Sequence, residues 1–197
     1  MHDRRKIIDT LRTFAYRSDV ERVDEAVQAL QPFGNEAVVA LADAVSDTDD
    51  DVRLIALEVL NEWDGDTTAA LPAMISALGD PDRIVRIAAV GPVGQHSEKA
   101  EDAVPLLMKW LDTDDEHSRL TAAALILRID SSQKDEMLAI LSEGTESDDT
   151  GIRCLAAWLL SGLRDVTPDA HPLLQQMLSN GDEFVRSVVE EELGSVC

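Results

Sequence analysis

The 197-residue chain carries 39 Asp and Glu against 17 Lys and Arg, a net charge of −22, and 45% of its residues are hydrophobic. That charge repels nucleic-acid phosphate and anionic membrane surfaces, which excludes functions needing either, while the apolar content suffices for a sizeable core. No apolar run reaches membrane-spanning length, and Met1-His2-Asp3-Arg4-Arg5-Lys6 leads into an amphipathic segment rather than a signal-peptide core, so a cytoplasmic protein is expected.

In chain order, residues 4 to 16 carry Ile7, Ile8, Leu11 and Phe14 at helical spacing, and residues 20 to 32 carry Val20, Val23, Ala26, Val27 and Leu30. These predict a degenerate first helical pair over residues 1–34, closed by Pro32-Phe33-Gly34-Asn35. Glu36 to Val45 is the next expected helix. Beyond it a pattern sets in: an Asp, an Arg four residues after it and, in every unit but the one with Ser118, an apolar residue just ahead of that Arg. The acids are Asp49, Asp82, Asp115, Asp149 and Asp182, and the arginines are Arg53, Arg86, Arg119, Arg153 and Arg186, spaced 33, 33, 34 and 33 residues apart.

A beat of that length marks a stacked array of supersecondary units. Three residues after each Arg stand Ala56, Ala89, Ala122, Ala156 and Val189, and seven after it Leu60, Val93, Ile126, Leu160 and Leu193. Small and large apolar residues therefore repeat on one helical face. Pro72, Pro105 and Pro172 lie fourteen residues before three of the arginines, where a fixed φ suits a first helical turn. Each unit reads as a hairpin of an A helix, an acidic loop and a B helix. The expected hairpins occupy 35–64, 67–96, 99–130, 132–164 and 167–197, with no strands and a single domain over 1–197. The unit at 132–164 holds one extra residue, placed in a Glu143-Gly144-Thr145-Glu146 loop. The Asp series is positioned to cap the B helices, and the Arg series to stitch repeat to repeat through a neighbouring loop's Asp or carbonyl. A kink is expected at Pro92, inside a B helix.

The B-helix wording of Asp82 to Gly94 and the Ala103-Val104-Pro105-Leu106-Leu107 stretch resemble the HEAT-repeat superfamily, and within it the short repeat named after the phycobilisome lyases. The resemblance covers residues 36 to 194. It implies a right-handed α-α superhelix of about six hairpins whose B helices line the concave side and grip other macromolecules. Related deoxyhypusine hydroxylases bind iron through His-Glu dipeptides; here the histidines stand as His2-Asp3, His96-Ser97, His117-Ser118 and His171-Pro172, so no metal site is expected. HEAT-like DNA glycosylases use a basic concave face, which the charge contradicts.

On a helical wheel, positions one, five and eight after each Arg point away from the core. Leu54, Ile87, Leu120, Ala124, Leu127, Cys154 and Trp158 would then make an apolar strip with Glu58 and Glu191 at its ends, suited to an apolar helix or peptide with basic flanks and anchored on Trp158. The opposing reading buries the strip between neighbouring B helices. Asp outnumbers Glu 24 to 15 and Arg outnumbers Lys 13 to 4, a bias similar to that of proteins from salt-in halophiles, so the acidity serves either strong salt or a basic partner. Cys154 and Cys197 fit no metal or disulfide framework. At the C-terminus, either Glu190, Glu191 and Glu192 cap the last helix or that repeat pairs with a second copy. The sequence thus predicts a non-enzymatic interaction scaffold without cofactor, metal or catalytic residues. An accessory, chaperone-like subunit of a bilin-lyase-type attachment system is the alternative.

Overall fold

A computed structural model describes residues 2–113, 115–180 and 183–194. Among them the chain is all-α, without a strand, and its helices pair into six hairpins. They are α1 (His2–Ala15) with α2 (Arg22–Leu30), α3 (Asn35–Ala44) with α4 (Asp50–Asn61), and α5 (Leu71–Ala77) with the divided helix α6 (Arg83–Ala88) and α7 (Val90–Gly94). Then come α8 (Val104–Leu111) with α9 (Glu116–Ile129), α10 (Lys134–Thr145) with α11 (Thr150–Gly162), and α12 (Ala170–Asn180) with α13 (Glu183–Gly194). Two compact units result, Met1–Ala103 and Val104–Cys197, each holding three hairpins.

In the first unit α1 packs on α3 and α3 on α5, while α2 packs on α4 and α4 on both α6 and α7. In the second, α9 packs on α11 and α11 on α13, with α10 against α12. A helices thus neighbour A helices and B helices neighbour B helices, the arrangement a translational repeat of one amphipathic hairpin must give. The repeated apolar positions fill the seams. Ala56, Ala89, Ala122, Ala156 and Val189 are fully buried, as are Leu60, Val93, Ile126 and Leu160. Each large side chain so buried contributes roughly 1.5–3 kcal/mol, and the small partner lets adjacent helices approach. Leu193 belongs to the same series, with its side chain outside the described set.

Local chemistry sets the helix boundaries. Asp49 has an extended backbone (φ −94°, ψ 121°) and accepts the Asp51 amide at 3.1 Å; Asp82 accepts those of Ile84 and Val85 at 2.7 and 3.1 Å; Asp149 accepts that of Gly151 at 2.7 Å. Asp115 occupies the same station, but its carboxylate takes the Ser118 hydroxyl instead. Asp182 lies outside the described residues. Pro92 divides the third B helix: it lacks the N–H that would reach the Ala88 carbonyl, and α6 ends at Ala88. The extra residue of the fifth hairpin is not in a loop. Glu143, Gly144 and Thr145 are helical, so the insertion lengthens α10, and Gly144 is buried where Leu120 of α9 presses against it.

Candidate interaction surface

The arginine series divides into two modes. Arg53 reaches forward to the next hairpin, with Nε 2.8 Å from Asp80 Oδ2 and Nη2 3.0 Å from Oδ1, and it also donates to the Asp47 carbonyl at 3.0 Å. Both side chains of this pair are nearly buried, and Asp80 pushes the Arg53 guanidinium further above its ordinary pKa. Arg119 likewise reaches forward, to Glu143 of α10 at 3.3 Å. Arg86 and Arg153 turn back onto their own loops, donating to the carbonyls of Asp80 and Pro81 and of Ser147 and Asp148. Arg186 is exposed on α13.

The expected apolar strip does not form as a continuous exposed surface. Leu120, Ala124 and Leu127 are buried, together with Ser118, Thr121, Ala122, Ala123, Leu125 and Ile126. Packed by α8, α10 and α11, α9 is enclosed on nearly all sides. Its sequence holds the reason: Leu120 to Leu127 is an uncharged run, and a helix apolar all round is a buried helix. At Leu120 the outward wheel position fails because Gly144 lets α10 close onto it. Cys154 and Leu54 and Ile87 are half-buried, and Trp158 is 59% exposed on α11.

Leu54 and Ile87 do come together. They line a groove of about 530 Å³ in the first unit, floored by α4 and by α6 and α7, with α2 along one side. Its apolar surface comes from Val23, Leu54, Ile84 and Ile87, of which Ile84 is 61% exposed. Asp24, Glu58 and Glu62 add carboxylates. Gly91 shapes the groove's far end, since a Cβ there would strike Asn61 Oδ1; without one, α7 lies close against the end of α4. Gln95 fastens that contact by donating to the Asn61 carbonyl at 2.8 Å, one of the acceptors a helix C-terminus leaves over. Glu58 is held by Arg22, the first residue of α2. Arg22 and Asp24 escaped the sequence reading, and Val23 was read only as a helical-face residue, because they lie in the degenerate first pair, which lacks the Asp and Arg signature.

Among the described residues, one set of side chains has metal-compatible spacing, Asp49, Asp50 and Asp51 at the start of α4. Asp49 is already engaged there as a cap and by the Tyr16 hydroxyl, which the carboxylate holds above its ordinary pKa. Of the described histidines, His96 meets Thr67 at 2.7 Å, His171 meets Gln175 at 3.3 Å, and His117 lies on α9 with its Nδ1 buried and without a hydrogen bond.

Residues 38–128 match the family of HEAT repeats. That stretch is similar to HEAT repeats. Leu54, Glu58, Ile84, Ile87 and Gly91 of the groove lie within that match, and Val23 and Asp24 lie ahead of it. No curated protein matches the sequence. Among solved structures, a designed armadillo repeat protein in complex with the peptide (KR)4 is similar over 98% of both chains, with a TM-score of 0.55 and 16% identity. The complex of CpcE and CpcF of a phycocyanin lyase from Nostoc is similar over 96% of this chain and 75% of that one, with a TM-score of 0.60 and 23% identity. An engineered protein gives a TM-score of 0.57 at 19% identity over 98% and 96% of the two chains. At these identities the likeness establishes an armadillo and HEAT-type helical repeat fold. No helix among the described residues is long and apolar enough to cross a membrane.

Proposed function

We propose that this helical-repeat protein is a non-enzymatic cytoplasmic scaffold that holds a protein or peptide bearing aliphatic and basic residues against the open side of its B helices. The observation that carries the reading is the composition of the groove: exposed Ile84 with Leu54 and Ile87 for apolar side chains, and the exposed carboxylates Asp24 and Glu62 for cations. A peptide seated there gains apolar burial and charge-complementary contacts together, the combination that gives both affinity and a fast encounter. The similar fold of the designed armadillo protein bound to (KR)4 supports it, since that scaffold takes an alternating basic peptide. Trp158, exposed on a B helix of the second unit, is a second contact of the same kind.

The test is fluorescence anisotropy with a labelled peptide of alternating leucine and arginine. Ile84→Lys keeps a side chain already in water and reverses the complementarity, so affinity should fall by roughly tenfold or more, about 1.4 kcal/mol. Trp158→Glu should weaken peptide binding at that second contact without unfolding the chain. Wild-type affinity in both variants would remove the proposal. The likeness to a phycocyanin lyase complex favours one second reading, an accessory subunit for attaching a bilin to a client. That role requires pigment binding, read as a change in bilin absorbance on mixing.

A further inference from the structure

The groove has a counterpart in the second unit. Arg153 follows Arg53, and Arg186 follows Arg86, at the same interval of 100 residues, so α11 and α13 correspond to α4 and to α6 with α7. Each set packs helix on helix within its own unit. Exposure carries over with the register. Ile84, 61% exposed in the groove, corresponds to Phe184, 63% exposed, and half-buried Leu54 corresponds to half-buried Cys154. Two positions change residue: α11 has Trp158, 59% exposed, where α4 has Glu58, and α13 has the exposed Glu191 where α7 has Gly91. The carboxylate has crossed to the neighbouring helix, and an aromatic side chain fills its former place. Among the described residues of the second unit, Trp158 and Phe184 are the large hydrophobic side chains that stand open to water, and both occupy groove positions.

We infer that Trp158, Phe184 and Glu191 form a second peptide site, which takes another aliphatic and basic segment of the partner with its cation on the indole face. The inference rests on the groove being the partner surface. Large apolar side chains left in water mark interaction sites when they share a face, and here the repeat register places them on one. The electron-rich face of an indole attracts an ammonium or a guanidinium, and a carboxylate on the neighbouring helix adds to the pull. α13 carries four glutamates against one arginine, so this side of the unit draws cations. Ser187 stands where the groove has Ile87 and offers less apolar area, which makes this site the weaker of the two.

Isothermal titration calorimetry of the full chain with the leucine–arginine peptide counts the sites. The emission of Trp158, the exposed indole beside half-buried Trp63 and buried Trp110, reports on the second one. The wild type should bind two peptides. Ile84→Lys should bind one and keep the emission change, whereas Phe184→Lys should bind one and lose it, with circular dichroism showing both variants folded. Should Phe184→Lys unfold, Trp158→Lys changes an exposed residue of a different helix and should likewise leave one bound peptide. One peptide per wild-type chain, lost in Ile84→Lys and untouched by Phe184→Lys or Trp158→Lys, would overturn the second site and leave the groove standing. Loss of all binding in a single folded variant would show one site rather than two. If the wild type bound no peptide, the groove reading would fall together with this one.

Discussion

Gly144 is buried on α10, and a Cβ built there would sit 2.6 and 2.7 Å from the two methyls of Leu120, itself fully buried. Neither partner can retreat into water. Gly144→Ala should therefore lower stability by about 1–3 kcal/mol through overpacking, against the gain in helix propensity that alanine brings to an exposed site. Urea denaturation should show a lower midpoint with an unchanged slope; a midpoint equal to wild type would mean that α9 and α10 part without cost. The Arg53–Asp80 pair is a second sensitive contact. Removing the carboxylate in Asp80→Ala strands a nearly buried guanidinium and should cost about 3 kcal/mol. Asp169, by contrast, meets Lys134 at 2.7 Å with both side chains about half exposed, and its loss should hardly register in the same experiment.

At the scale of the helices, the shortest depend most on their caps. α6 has six residues, stops before Pro92, and begins with two amides bound to Asp82. Asp82→Ala should cost about 1 kcal/mol, whereas Asp115→Ala should leave the start of α9 better preserved, because the Asp115 carboxylate takes the Ser118 hydroxyl and α9 is held by packing on three helices. Thermal melts of the two variants rank them; a larger loss for Asp115→Ala would contradict the capping account. The same comparison explains what the sequence made readable. The caps, the Pro92 break and the small and large core series each follow from one residue type acting on its own backbone or face, so they could be read from spacing. The groove could not, because it needs α2, whose residues carry no repeat signature, and neither could the depth of Leu120, which Gly144, 24 residues further on, helps to decide. A helical wheel knows one helix at a time, and the exposed face of a repeat is set by its neighbours.

For the whole molecule, the charge makes opposite demands on either side of the isoelectric point near 4.3. Between pH 7 and about 5 at low ionic strength, protonation relieves the repulsion of a chain with net charge −22, so stability should rise as pH falls. Below that range another effect takes over. Asp19 beside Arg17, and Asp66 and Asp130 hydrogen-bonded to Thr68 and Ser132, have carboxyls held below their ordinary range. Asp47 is too: its partial burial works against ionisation, but the Asp49 amide and Arg12 outweigh it. For a carboxylate with a depressed folded pKa, the stabilisation is complete above its unfolded value, near pH 4, and is lost as pH falls through the folded one. The melting temperature should therefore peak near pH 5 in dilute buffer and drop below pH 4. In about 1 M salt, where the Debye length is near 3 Å, the rise from pH 7 to 5 should flatten because the long-range repulsion is already screened. The acid fall should persist there, since bonds between atoms in contact are screened much less. Scanning calorimetry across pH at the two ionic strengths separates the effects, and identical profiles in both salts would show that the acidic surface carries no self-repulsion worth screening.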